Sequence, residues 1–509
     1  MAELLLELFS EEMPASMQLA AKDQLLAQIL AELKERFGLE LQGQAWVTPR
    51  RLGIFIDKLP LEIQESKEEL RGPKITAPEQ ALEGFLRKNN LNKELLEKRG
   101  EYYFAIITRP AAAIREVLGK LIEEVLLGFS WPKSMRWSDH EIRWVRPLHN
   151  ILCMLDNEIL TLQFGHIRSN NLSFGHRFMA QEQITISNFS DYKSKLAQAF
   201  VILESADRKQ SILTQVNDAI AAKGLAMNED NELLSEIAGL VEYPVVLLGE
   251  IGEEYMKLPR EVLVITLRHH QRYLMLNDLK GNLAPYFIIV ANRTTADKGS
   301  EIVRGNLKVL NARLEDARFF FSGDKAHTLV SRVNELKGLT FHKEIGTIYD
   351  KMQSTKAMLE RICTQLKIDS GKAIRAVELS KTDLITGMVK EFPELQGIMG
   401  YYYALNDNED QEVATAIRDH YKPQGPSDSL PENLTGALAA LADKLDTLNQ
   451  MFAIGIKPTG SKDPYALRRA AIGLLRIMTH YELNLDLAKL GLRDDVCAFI
   501  NERKNNLSI

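Results

Sequence analysis

The stretch LTGALAALADKLDTLNQMFAIG, residues 434–455, reads as a long helix. On its C-terminal side DPYALRRAAIGLLRIMTHYEL (463–483) reads the same way. On its N-terminal side so do LEDARFFF (314–321), KMQSTKAMLERICTQL (351–366) and LSKTDLITGMVKEF (379–392). From about Asn306 onward the pattern is helical, with the proline- and glycine-bearing stretch Lys422 to Pro431 as a loop inside it. Earlier in the chain strands and helices mix. Leu4 to Phe9 reads as a buried strand. Pro14 opens a helix with Leu26, Ile29, Leu30, Leu33 and Phe37 on one face and Gly38 as its stop. Ala45 to Lys58 reads as two short strands around Thr48-Pro49-Arg50-Arg51, and the polar stretch Glu62 to Pro78 as a loop or linker. ILCML, ILTLQF and ITISNF read as strands of a mixed sheet, followed by helices from Tyr192 to Lys223. Val241 to Leu248 and Tyr286 to Ala291 have strand length, and Glu261 to Leu274 between them reads as helical. The expected architecture is an α+β multidomain chain: an N-terminal α+β region over 1–150, a mixed-sheet domain over 151–305 and a helical domain over 306–509.

The 509 residues are 45% hydrophobic and 26% charged, the composition of an ordinary globular protein, with room for about three or four domains. The formal net charge is −6, so contact with a nucleic acid requires a local basic surface on an acidic body. Cys153, Cys363 and Cys497 are far apart and form no CxxC pair, which argues against a disulfide framework or a cysteine zinc site. The acidic N-terminal stretch MAELLLELFSEEM lacks a signal peptide's basic start. No apolar run approaches the roughly 18 residues of a membrane span. A cytoplasmic protein without membrane attachment is expected.

Nucleotide cradles of the form GxxxxGK[ST] or GxGxxG after a strand are absent, as are HExxH and GxSxG. Gly165-His166-Ile167-Arg168 shares only His-Ile with the class I synthetase motif. No catalytic residue is therefore assigned to this chain. One segment stands out. SWPKSMRWSDHEIRWVRPLHN, residues 130–150, holds three of the four tryptophans beside Lys133, Arg136, Arg143 and Arg146. Arginine and lysine contact phosphates, and tryptophan can stack on unpaired bases. The competing reading makes Trp131, Trp137 and Trp144 core residues, with the arginines paired to Asp139 and Glu141.

An ordered series of segments carries a resemblance: FSEEMP, PRRL (49–52), RGP (71–73), MRW, VRPLH, GHRFM (175–179), LVEYPVVL (240–247), FIIVANR (287–293), RLEDARFFF, EFPELQGIMGYYYA and KDPYALRRAAIGLLRI. In this order and over nearly the whole chain they resemble the beta subunit of the two-subunit bacterial glycyl-tRNA synthetase. The resemblance implies a central domain like the editing domain of phenylalanyl-tRNA synthetase, and a helical domain like the HD phosphohydrolases. It also implies a glycyl-tRNA synthetase alpha subunit as partner in an alpha2-beta2 tetramer, tRNA(Gly) as the other partner, and ATP with magnesium used at the alpha subunit. This chain would position the tRNA. The chain departs from the family in a shorter stretch after Arg71-Gly72-Pro73. It also stops where RDDVCAFINERKNNLSI begins something like the first helix of an anticodon-binding domain.

Against that background Arg50, Arg51, Arg177, Arg468 and Arg469 join Lys133, Arg136, Arg143 and Arg146 as candidate tRNA contacts. In DPYALRR, Asp463 and Pro464 are expected as N-cap and first helical residue. His176 and Arg177 lie in the segment that resembles the editing-like domain, where the resemblance implies a fold and not surviving hydrolysis. Arg268-His269-His270-Gln271-Arg272-Tyr273 reads as a polar RNA- or subunit-facing surface, since adjacent helical histidines point about 100° apart and chelate poorly. His342, Asp383 and Asp443 mark a degenerate HD site: the pattern's His-Asp pair is here Thr382-Asp383, so no metal is expected. An HD-type metal-dependent phosphohydrolase and a non-catalytic scaffold for the alpha chain remain as alternatives.

Overall fold

The computed structural model describes residues 2–89, 91–109, 111–460 and 462–506. The chain forms two compact units: Met1–Gly249 with Arg272–Gly305, and Glu250–Gln271 with Asn306–Ile509.

The first unit is built on a seven-stranded sheet with Ala2–Ser10 near its centre. That strand pairs antiparallel with Arg51–Leu59 on one side and Leu148–Leu155 on the other, so residues on both sides of position 150 share one sheet. LLLELF is almost unbroken apolar sequence because both sheet faces are covered. Leu4, Leu6 and Leu8 join a core with the helices Ala15–Phe37 and Ile114–Leu127. Leu5 joins a second core with Trp46, Phe189 and Tyr192. By strand alternation Glu7 shares the Leu5 face, which places a carboxylate at the bottom of that second core. Gly53 is required there: a Cβ at this position would lie 2.3 Å from the Trp46 ring. Gly38 ends the first helix in a left-handed conformation, φ 69°, as its position after Phe37 predicts. Further along, Leu225–Met227, Leu274–Asp278, Leu283–Ala291 and Val245–Glu250 make a four-stranded sheet.

The second unit is helical around Leu434–Ala453, which buries residues on all sides, from Ala437 to Phe452. A helix apolar all round belongs in the centre of a bundle. Helices Ile348–Leu366, Gln411–Asp419 and Leu467–His480 pack against it.

Four local expectations change. Glu62 to Pro78 is not a linker: Ser66–Lys74 is a strand that pairs with Tyr102–Arg109 in a three-stranded sheet. The segment 379–392 is not one helix, because the chain breaks into a short turn at Thr382–Ile385 and a five-residue helix at Gly387–Glu391. The helix Arg260–Ile265 runs through one π-turn to His270 and stops, so that Leu274 opens a strand. The last expectation concerns the DPYALRR helix, which starts at Leu467 rather than Pro464. Asp463 still caps it, accepting from the Leu467 and Arg468 N–H groups at 2.8 and 3.0 Å.

Candidate nucleic-acid interface

The segment 129–147 divides cleanly by side chain. Met135 and Trp144 exchange backbone hydrogen bonds at 2.8 and 3.2 Å, closing a small hairpin. Trp144 is 1% exposed and meets Trp131, Phe129 and Phe164 edge-on or tilted, with ring centroids 5.1 to 5.5 Å apart. Trp131 and Trp137 are half-buried against the same core. The tryptophans are therefore packing residues, as the competing core reading expects. The cations behave oppositely. Arg136 and Arg143 follow and precede the bridged pair, so they share the face opposite to Trp144. Lys133, Arg136 and Arg143 are exposed and have no carboxylate partner among the described residues. Asp139 bonds Ser138 at 3.0 Å instead of an arginine. Arg146 is half-buried and donates to the Val145 carbonyl at 3.0 Å. The arrangement is an indole base carrying a basic hairpin whose exposed cations have no carboxylate partner among the described residues.

Arg51 does something else. Its side chain is fully buried. It makes a short ion pair to Glu242, lies 3.3 Å from Glu7, and donates to the carbonyls of Phe174 and Gly175. A guanidinium so enclosed cannot meet an RNA phosphate, so Arg51 is withdrawn from the RNA-facing set. Tyr192 and Ser173 donate to Glu7 at 2.6 and 2.7 Å, and Thr48 donates to Glu242 at 2.6 Å. Burial pushes Glu242 up, but Arg51 and the two hydrogen bonds prevail and hold it below the usual carboxylate range. One guanidinium neutralises one carboxylate. Glu7, its second neighbour, is raised by burial, which Arg51 only partly offsets.

The network reaches three motif loops. Asn292 Oδ1 accepts from the N–H groups of Glu242 and Tyr243 at 2.8 and 3.1 Å and lies 3.0 Å from His176 Nε2. His176 Nδ1 accepts from the Phe178 N–H at 3.2 Å, so Nε2 carries the proton and donates to Asn292. His176 is buried and structural. Arg50 is half-buried, 4.5 Å over the Phe9 ring and 3.8 Å from Glu12. Arg177 is exposed but already paired with Glu11 and Glu12. In the second unit Arg469 is exposed and Arg468 half-buried, and neither has a carboxylate partner among the described residues.

The proposed HD residues each take other partners. His342 is half-buried, 6.0 Å from the Tyr465 ring. Asp383 is buried and accepts from the Gly397 and Gly400 N–H groups at 2.5 and 3.1 Å. Asp443 lies 3.4 and 3.5 Å from the ammonium groups of Lys351 and Lys381. Burial opposes its ionisation, but those two cations hold its carboxyl well below the ordinary range. Lys381 also donates to His420 Nε2 at 3.1 Å. Burial, reinforced by that ammonium, lowers the His420 pKa to about 3 and keeps it neutral. Sequence reasoning missed Lys351, Lys381 and His420. Among the described residues no group of three or more His, Cys, Asp and Glu side chains is placed to hold a metal. Elemental analysis of the purified chain should find no stoichiometric transition metal. Bound metal lost on His342→Ala would contradict this.

Asp383 gives a second test. Burial raises its pKa to about 6 from 3.8. A raised carboxyl favours the protonated folded state, so its stabilising contribution is complete below about pH 4 and is lost as pH rises towards 6. Asp383→Asn should flatten that slope in urea melts between pH 4 and 6 and cost no more than about 1 kcal/mol at pH 8. A loss of several kcal/mol at pH 8 would show that the ionised carboxylate is needed.

A family model described as glycyl-tRNA synthetase beta subunit matches residues 4–506. This chain belongs to that family. The glycine–tRNA ligase beta subunit of Rickettsia felis is 44% identical over 496 residues, covering 96% of this chain and 74% of the relative. That of Phenylobacterium zucineum is 44% identical over 510 residues, covering 99% and 76%. The chain thus spans about three quarters of these beta subunits' length. The segments that announced the family, PRRL, GHRFM, LVEYP and VANR, are the ones that meet around Arg51, Glu242 and Asn292. No helix among the described residues is long and apolar enough to cross a membrane.

Proposed function

We propose that this beta-subunit chain is the tRNA-handling half of a glycine–tRNA ligase. An alpha subunit would activate glycine with ATP and magnesium in an alpha2-beta2 assembly in the cytoplasm, and transfer it to tRNA(Gly). The observation that carries the reading, once the family is known, is the exposed hairpin with Lys133, Arg136 and Arg143 unneutralised on an acidic chain. Phosphate contacts position a nucleic acid without reading its sequence, and three exposed cations at and beside one hairpin suit that task. Arg469 and Arg468 offer further contacts at the start of a helix. A helical domain like the HD phosphohydrolases and a central domain like the phenylalanyl-tRNA synthetase editing domain fit the same reading as scaffolds. The lysines around Asp443 favour an inert helical domain.

The division of labour has a direct test. The purified chain should show no glycine-dependent ATP–pyrophosphate exchange, and adding the alpha subunit should restore it. Robust exchange by the chain alone would place the activation site here and overturn the reading.

A further inference from the structure

In the first unit Phe178 is 53% exposed, although the loops around it are held firmly. His176, one turn of chain before it, is bolted to Asn292 at 3.0 Å. The Thr294 N–H and hydroxyl lie 3.4 and 3.5 Å from the Met179 sulfur. Two separate loops, 176–179 and 292–294, are thus cross-linked through side chains. Between them they present an exposed phenyl ring with the Arg293 guanidinium 5.3 Å from its centroid. Arg293 is exposed and has no carboxylate partner among the described residues. Neighbouring Arg177 is neutralised by Glu11 and Glu12, so the free charge at this edge is that of Arg293.

Phe178 also lines an open groove of about 900 Å³, together with Gln181, Gln183, Gln198 and Lys195. Lys195 is held by Asp191 and the Thr185 carbonyl at 2.8 Å each, and Glu182 adds a negative charge to the lining. The groove is therefore no trap for a run of phosphates. It offers an aromatic face, several primary amides and one unpaired guanidinium at the rim. Unpaired nucleotides are recognised through that combination: stacking on an aromatic ring, amide hydrogen bonds to base edges, and a cation for the phosphate.

We infer that Phe178, Arg293 and the adjoining glutamine-lined groove form a binding site for an unpaired ribonucleotide of the tRNA, its base stacked on Phe178 and its phosphate met by Arg293. This rests on the tRNA-handling reading above and extends it to a second surface remote in sequence from the basic hairpin. The His176–Asn292 bond gives the site its rigidity, since a stacking ring on a mobile loop would lose affinity to ordering.

The test uses the complex with the alpha subunit and measures tRNA(Gly) affinity by fluorescence titration for Phe178→Ala, Phe178→Trp and Arg293→Ala. Melting temperature is followed in parallel. Phe178→Ala should weaken binding roughly tenfold, the loss of one base–aromatic stack. Phe178→Trp should retain affinity, and Arg293→Ala should reduce the salt slope by about one unit. All three should melt with the parent. If Arg136→Ala with Arg143→Ala weakens binding but Phe178→Ala does not, this site is overturned while the tRNA-handling reading stands. If neither does, both fall. Equal losses for Phe178→Ala and Phe178→Trp with unchanged melting would also overturn the stacking assignment.

Discussion

Arg51→Met should cost the first unit about 3–5 kcal/mol, the usual penalty for stranding a buried carboxylate. The guanidinium is fully buried and stands between Glu242 and Glu7. Without it Glu242 loses its ion-pair partner and keeps only its Thr48 bond and the weaker pull of Arg50 and Arg208, so burial then pushes its pKa up. The sign of the pH dependence follows. In the parent, Glu242 is held low, so its contribution is present above the unfolded value of 4.5 and is lost as pH falls through the folded one. In the variant the same carboxyl prefers to be protonated, which favours the folded state in acid. The stability gap between the two should therefore be widest near pH 7 and narrow below about pH 5. Urea melts at several pH values measure it. A gap under about 1 kcal/mol at pH 7 would mean that these motif residues are not what holds the unit together.

How much of this was legible in the chain depends on where each residue's partners lie. The helix at 434–455 was plain because its apolar residues are local and continuous. The strand LLLELF was plain for the same reason, and Glu7 inside it was a signal that went unread: a carboxylate in a run buried on both faces must have partners. Those partners lie 185 residues away at Tyr192 and 166 away at Ser173, separations no local pattern reports. PRRL shows the limit clearly. Both guanidinium groups lie over the Phe9 ring, at 4.5 and 4.9 Å, but Arg50 sits in the bend before the strand and stays half-buried, whereas Arg51 opens the strand and is fully buried. Which of the two is enclosed depends on Glu242, far along the chain. The strand at 66–74 was missed because SKEELRGPK looks like loop. It is held by pairs across the sheet, Arg99 to Glu69 at 2.5 Å and Arg71 over Tyr102 at 3.6 Å, rather than by apolar alternation. The basic hairpin was half legible. Its composition announced a cationic surface but left open whether the tryptophans stack on bases or pack in the core, and only the fold separates indoles from cations.

The second large effect concerns that hairpin. Replacing Lys133, Arg136 and Arg143 together by alanine should sharply weaken tRNA binding by the complex while glycine activation stays near the parent level. An acidic body repels the polyanion at long range, so productive association depends on local positive charge. Each phosphate neutralised releases condensed counterions, and the logarithm of affinity falls with the logarithm of salt by up to about 0.9 unit per contact. Removing three contacts should flatten that slope by roughly two to three units, so the loss is greatest at low salt and shrinks as salt rises. The fold should survive, because the three side chains are exposed and pair with no carboxylate among the described residues, whereas Trp144 beneath them is 1% exposed. Trp144→Ala provides the contrast: it should cost about 3–5 kcal/mol of stability, as a large core truncation does.

The most direct test of tRNA handling by this chain is the salt dependence of tRNA(Gly) affinity for the alpha–beta complex, with and without the three substitutions. Glycine-dependent ATP–pyrophosphate exchange is recorded on the same samples. The prediction is a shallower slope and weaker binding at low salt with exchange unchanged. An unaltered slope and affinity in a folded triple variant would contradict it and remove the hairpin from the interface.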